Sequence, residues 1–214
     1  MPAFSDILEK RSLSRPVRYG ISSRLAFPST APERYLAALF ESSAQVVQWR
    51  EKGLPAAANR GLVDKGAKLA RSAGKLLLVN SLTELSLEAG ADGVHLTSEQ
   101  KVEEAKSLRE RKGIREHLIG KSVHSVAEAV QAERDGADYV LLGPIFQPFS
   151  IPSKGPGLGL EAVRKAAESL TVPVIALGGI DEGRFDQVVR AGAWGAAGIT
   201  WFEREIEELL QRTA

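Results

Sequence analysis

Ser122-Val123-His124-Ser125 runs into Val126-Ala127-Glu128-Ala129-Val130 and then, through Ala137-Asp138-Tyr139-Val140-Leu141-Leu142-Gly143, into a second apolar run. The order is strand, helix, strand, the βαβ unit of a parallel barrel, with a histidine at the carboxyl end of the first strand. Catalytic groups of parallel barrels sit at that end of the strands. An imidazole titrates near operating pH, so a histidine there can remove and return a proton without a cofactor.

The same alternation extends in both directions. Short β-branched runs predict strands at Val17–Ser22, Ala44–Arg50, Lys75–Val79, Gly93–Leu96, Leu118–Ser122, Tyr139–Leu142, Val174–Leu177 and Ala196–Ile199. Amphipathic stretches between them predict helices at Glu33–Glu41, Ala56–Ser72, Thr83–Ala89, Glu99–Lys112, Val126–Asp135, Leu160–Ser169, Gly183–Ala191 and Glu203–Gln211. Ala89-Gly90-Ala91-Asp92, Asp135-Gly136-Ala137-Asp138 and Ala191-Gly192-Ala193 repeat one helix-stop signal, a glycine leading into the next strand. About eight βα units without a dinucleotide fingerprint favour a closed (β/α)8 TIM barrel over an open doubly wound sheet. Residues 1–16 read as an N-terminal cap segment beneath the barrel, and 17–214 as the barrel domain.

With 214 residues, 43% of them hydrophobic, the chain can bury one sizeable core. Its 28 basic and 27 acidic side chains nearly cancel, so no global field recruits nucleic acid or an anionic membrane, and a small ligand is expected. The absence of cysteine excludes disulfides, thiol catalysis and thiolate-held metals. Met1 to Arg15 contain no apolar run of signal or spanning length, and the expected location is the cytoplasm.

Several groups fall at the predicted rim. Gly178 and Gly179 follow the seventh strand and Gly198 lies in the eighth, where barrels commonly offer backbone N–H groups to a phosphate; a simple tight turn is the plainer alternative. In Gln48-Trp49-Arg50-Glu51-Lys52, alternation sends Gln48, Arg50 and Lys52 to one side, where Arg50 and Lys52 would meet a carboxylate or phosphate unless they are merely solvated. Asn80, past the third strand, offers donor and acceptor to a ligand or caps the helix that follows. Lys154 lies in a Gly- and Pro-rich segment after the sixth strand that reads as an anion-closing lid or a plain surface loop. His95 would face the barrel or serve as a hydrogen-bonded core histidine, and His117 reads as a solvated loop residue. No histidine and carboxylate spacing suggests a metal, so a metal-free site is expected.

Taken in order, Gln48-Trp49-Arg50-Glu51-Lys52, Asn80, Asp92-Gly93-Val94-His95-Leu96, Ala137-Asp138-Tyr139-Val140, Gly143-Pro144-Ile145-Phe146, Lys154 and Ala176-Leu177-Gly178-Gly179-Ile180 resemble the thiamine phosphate synthase/TenI superfamily over nearly the whole barrel. The resemblance implies two branches. Synthases carry an Asn-Asp pair after strand three and a Gly-Gln-x-Asp after strand four, whose aspartates hold the Mg²⁺ that neutralises a pyrimidine diphosphate. The matching positions here are Asn80-Ser81 and Thr97-Ser98-Glu99-Gln100, without either carboxylate. Ser122-Val123-His124-Ser125 with Glu128 to Glu133 looks like the TenI branch, a thiazole tautomerase that needs no metal. That likeness implies His124 as catalytic base, with Ser122, Arg50, Lys52, Asn80, Lys154, Gly178, Gly179 and Gly198 binding a small-molecule thiazole phosphate. No cofactor is implied, and a homodimer is the assembly held open. The alternatives are a synthase with altered metal ligands and a non-catalytic thiazole phosphate binder.

Overall fold

The computed structural model describes residues 4–51, 53–147 and 156–212. Eight parallel strands close into one barrel in chain order: β1 Val17–Ile21, β2 Val46–Trp49, β3 Leu76–Asn80, β4 Gly93–Leu96, β5 Leu118–Val123, β6 Tyr139–Leu142, β7 Val174–Leu177 and β8 Gly195–Gly198. β1 closes on β8 through Tyr19 beside Ala197. Around them lie α2 Pro32–Glu41, α3 Ala56–Ala73, α4 Thr83–Glu88, α5 Val102–Arg111, α6 Val126–Asp135, α7 Gly159–Ser169, α8 Glu182–Arg190 and α9 Glu203–Arg212, preceded by α1 Phe4–Lys10. The (β/α)8 expectation therefore holds.

Alternation along each strand sorts the core into two parts. Leu77, Val79, Val94, Val140 and Ala176 face outward onto the helices. Tyr19, Leu76, Leu78, Leu118, Tyr139, Leu141 and Ile175 fill the barrel itself. The interior is crowded, and glycine makes it possible. Gly120 sits beside Tyr139 in register, and a Cβ on Gly120 would lie 2.0 Å from the tyrosine ring. Gly90, Gly136 and Gly192, the repeated stop signals, all adopt positive φ, as helix-ending glycines do.

α1 closes the end of the barrel where the strands begin. Its Phe4 is fully buried, with the ring centroid 5.0 Å from that of Tyr139. Arg11 pairs with Asp92 at 2.6 Å, and Arg15 lies 3.9 Å over the ring of Trp194. The opposite end, where the strands finish, is not covered by α1.

Many element ends shift by one or two residues from the sequence reading, and two differences have a side-chain cause. α5 begins at Val102 and not at Glu99, because Gln100 folds its carboxamide back onto the N–H of Thr97 at 3.1 Å and Lys101 is extended. His117 is buried, not solvated: its Nε2 lies 2.8 Å from Ser86 Oγ, and its carbonyl accepts from Arg109, itself buried beside Asp138.

Candidate active site

The mouth is assembled from residues that continue the inward register of each strand. Along β5 that register passes through Gly120 and Ser122 and reaches His124 one step beyond the strand. The chain then turns into α6, whose N-cap Ser125 accepts from the N–H of Glu128 at 3.1 Å, while the Glu128 carboxylate accepts from the N–H of His124 at 2.8 Å. These two bonds satisfy donors at the helix start and fix the backbone under the histidine. The imidazole is fixed as well. Its Nδ1 lies 2.6 Å from the carbonyl oxygen of Gly143, at the end of β6. A carbonyl only accepts, so Nδ1 carries a proton, and in the neutral ring the lone pair is on Nε2. Nε2 has no partner among the described residues, which leaves it available as a base.

Ser122 stands one step deeper, with its Oγ 2.8 Å from Nε2 of His95. His95 is 1% exposed and faces the barrel, so both alternatives read for it hold together: it is in the interior and it is hydrogen-bonded. Burial, reinforced by the charge of Lys121, pushes its pKa down to about 3 and keeps the ring neutral. Asn80 also turns inward. Its Nδ2 donates to Gln48 Oε1 at 3.3 Å and to the carbonyl of His95 at 3.4 Å. It does not cap α4, whose N-cap position is Leu82.

Arg50 follows β2, half-buried, and borders a cleft of ≈ 310 Å³ shared with Trp49, Glu51, Asn80 and Ser81. Its backbone N–H donates to Ser22 Oγ at 2.7 Å, and its guanidinium has no partner among the described residues, so it is free to meet an anion. Glu51 beside it has a carboxyl shifted upward, chiefly by burial. Lys52 and Lys154 lie outside the described residues.

Gly178 and Gly179 carry φ of 102° and 62°, open to glycine and strained for other residues. They also lie tightly under the segment after β6. A Cβ on Gly178 would be 2.6 Å from Pro144 Cβ, and one on Gly179 would be 2.4 Å from the Gln147 carbonyl oxygen. Their own N–H groups donate to nothing among the described residues, while the Gly178 carbonyl accepts from Phe146 at 3.1 Å. The tight turn and the open donors thus coexist. Gly198 differs: its side-chain direction meets Trp201, with a built Cβ 2.8 Å from Trp201 Cβ, so its missing side chain makes room for the turn Thr200–Phe202.

A profile of the family described as thiamine monophosphate synthase matches residues 19–202. The chain belongs to the thiamine monophosphate synthase/TenI family. Within that family it is 36% identical over 160 residues to a thiamine-phosphate synthase of Chloroflexus aurantiacus, covering 73% of this chain and 71% of the relative. It is 39% identical over 161 residues to a thiamine-phosphate synthase of Methanoculleus marisnigri, covering 73% of each. Among solved structures, thiamine phosphate pyrophosphorylase from Pyrococcus furiosus superposes with a TM-score of 0.75 at 28% identity, covering 92% of this chain and 96% of the other.

The family's magnesium requires oxygen ligands of high charge, and the residues here do not fit it. Gln100 stands where the strand-four aspartate is expected, and its carboxamide is already engaged: Nε2 donates to the Ser81 carbonyl at 2.9 Å and Oε1 accepts from Thr97. Ser81, at the other expected aspartate, donates its hydroxyl to Asn80 Oδ1 at 3.0 Å. Glu99 is exposed and borders the cleft between α5 and α6 that contains Glu103 and Gln131.

Sequence reasoning missed the polar interior of the barrel. Tyr19, Gln48, His95 and Tyr139 all fall at inward positions of their strands, and that coincidence was the available signal.

Proposed function

We propose that this chain is a thiazole tautomerase of the thiamin pathway, acting on a thiazole carboxylate phosphate by proton transfer alone. The observation that carries the reading is the bond from His124 Nδ1 to the Gly143 carbonyl, which in the neutral ring leaves Nε2 the lone pair of a base, on the inward register of β5. Nε2 removes the proton from the sp³ ring carbon that bears the carboxylate. The electron pair moves through the ring to the exocyclic alkene, whose terminal carbon takes the proton back from the imidazolium. No atom is lost, and the product ring is aromatic. The N–H groups of Gly178 and Gly179 receive the phosphate, and Arg50 meets the carboxylate. The engaged Gln100 carboxamide and the neutral Ser81 support a reaction that needs no metal.

The names of the relatives favour a second reading, the synthase that couples a pyrimidine diphosphate to a thiazole phosphate. That reaction must stabilise a departing diphosphate, a task for which neither Ser81 nor Gln100 supplies a negative charge. An assay with the tautomer substrate and a separate synthase tests the proposal. Acceleration by the wild type and not by His124→Ala supports the tautomerase; Mg²⁺-dependent coupling by this chain alone, without tautomerase activity, would replace it with the synthase.

A further inference from the structure

A continuous line of hydrogen bonds crosses the buried interior of the barrel, and each link can be assigned a direction. It starts at the mouth beside β3, where Ser81 Oγ donates to Asn80 Oδ1 at 3.0 Å. Asn80 Nδ2 donates to Gln48 Oε1 at 3.3 Å, and Gln48 Nε2 donates to Tyr19 Oη at 2.8 Å. Tyr19 Oη lies 3.1 Å from Tyr139 Oη, which lies 3.0 Å from His95 Nδ1. His95 Nε2 then reaches Ser122 Oγ at 2.8 Å, back at the mouth beside β5.

The direction is fixed by one group that cannot reverse. The backbone carbonyl of His95 only accepts, and Asn80 Nδ2 faces it at 3.4 Å. With nitrogen there, Asn80 gives a proton to Gln48, whose amide nitrogen then faces Tyr19. Tyr19 already accepts, so its own proton goes to Tyr139. Tyr139 in turn gives its proton to His95 Nδ1. His95, neutral in this dry interior, must therefore carry its proton on Nε2 and donate it to Ser122. The opposite direction would bring Asn80 Oδ1 against the His95 carbonyl. It would also leave a buried tyrosine proton without an acceptor unless both amides flipped.

We propose that this array makes His95 a positioning residue, locked as the Nε2–H tautomer, and that it presents Ser122 to the mouth as a hydrogen-bond donor matched to a ligand atom with a lone pair. Ser122 Oγ accepts from His95 and has no other partner among the described residues, so its proton is directed outward. A carboxylate, carbonyl or ring nitrogen satisfies it. An N–H that offers no lone pair leaves the serine proton unpaired and is disfavoured. The functional half of the inference rests on the tautomerase reading; the tautomer itself does not.

The two parts are tested separately. In the full chain labelled with ¹⁵N-histidine and free of ligand, long-range proton–nitrogen correlation reads the tautomer of each of the three histidines, assigned with His117→Gln and His124→Gln. The expected result is His95 neutral with its proton on Nε2 and His124 with its proton on Nδ1. A proton on Nδ1 of His95, or a mixture, overturns the array. Tyr139→Phe removes the donor to Nδ1, so the His95 tautomer becomes mixed and KM for the tautomer substrate rises about tenfold. Ser122→Ala gives the same rise in KM with the His95 tautomer unchanged, and Ser122→Thr, which keeps the hydroxyl, restores KM. An unchanged KM in both Tyr139→Phe and Ser122→Ala overturns the donor role. If Tyr139→Phe fails to fold, the wild-type spectrum and the Ser122 pair still decide. A wild type with no tautomerase turnover but the expected tautomers removes the function and leaves the array.

Discussion

His124 and Gly143 immediately follow the neighbouring strands β5 and β6, and the 2.6 Å contact between Nδ1 and the carbonyl oxygen gives the imidazole a defined face. Among the described residues of the mouth, His124 is the only imidazole held in this way, and its replacement removes it. Turnover in His124→Ala and His124→Gln should fall by about 10²–10⁴-fold, the usual contribution of a positioned base, with ligand affinity nearly unchanged. Steady-state kinetics and calorimetric titration with the product check both. Full turnover in either variant would remove His124 from the mechanism.

Chelation separates the proposed chemistry from a metal-assisted one. Ser81 and Gln100 offer neutral oxygens already engaged in hydrogen bonds. Dialysis against a chelator should leave tautomerase turnover within about twofold of its starting value, because a general-base reaction has no metal step. Loss of activity that Mg²⁺ restores would show that residues other than Ser81 and Gln100 hold a metal required for turnover.

Acid should destabilise the fold well before the carboxylates titrate. Burial lowers the pKa of His95 to about 3 and that of His117 to about 4. In the unfolded chain both protonate near about 6.5. Below that value the unfolded state takes up protons that the folded state refuses, so stability falls with pH by about 1.4 kcal/mol per unit for each histidine. The loss levels off only when the folded groups themselves protonate, near 4 for His117 and near 3 for His95. Asp92 and Asp138, whose pKa values burial raises, act in the opposite sense over the carboxylate range. Urea unfolding at about pH 7 and about pH 5 measures the slope, and His117→Gln should reduce it by roughly half.

Two glycines should respond in opposite ways. Gly178→Ala places a methyl group at positive φ and 2.6 Å from Pro144, and should cost about 1–3 kcal/mol while weakening phosphate binding. Gly61 lies exposed in α3 with open space around its Cβ position, and Gly61→Ala should stabilise the chain by about 1 kcal/mol. Thermal denaturation of both variants, with and without ligand, checks the pair.

Much of the barrel was legible in the sequence because strand and helix periods differ and glycine marks each return to the sheet. β4, β6 and β7 match the expected spans residue for residue, since their apolar runs end abruptly. The start of α5 was not legible, because Glu99 and Gln100 are good helix formers and only the fold-back of Gln100 onto Thr97 keeps them out. His117 misled for a similar reason. Its neighbours Arg115 and Glu116 are exposed, and the partners that draw it inward, Ser86 and Arg109, come from α4 and α5. At the mouth, the sequence pattern put Gln48, Arg50 and Lys52 on one side by alternation and Asn80 and His124 at strand ends by position. It gave no depth, so the buried Tyr19 to His95 line below them stayed hidden.

The segment after β6 touches both ends of the mouth. Its first residue, Gly143, fixes His124, and the next ones lie over Gly178 and Gly179, with Ile145 donating to Leu177 at 2.8 Å. Under the proposed reading, one short stretch of backbone therefore works as a ruler between the base and the anion seat. Discrimination by length follows: a substrate whose phosphate stands one methylene nearer to or farther from its acidic carbon cannot fill both marks at once.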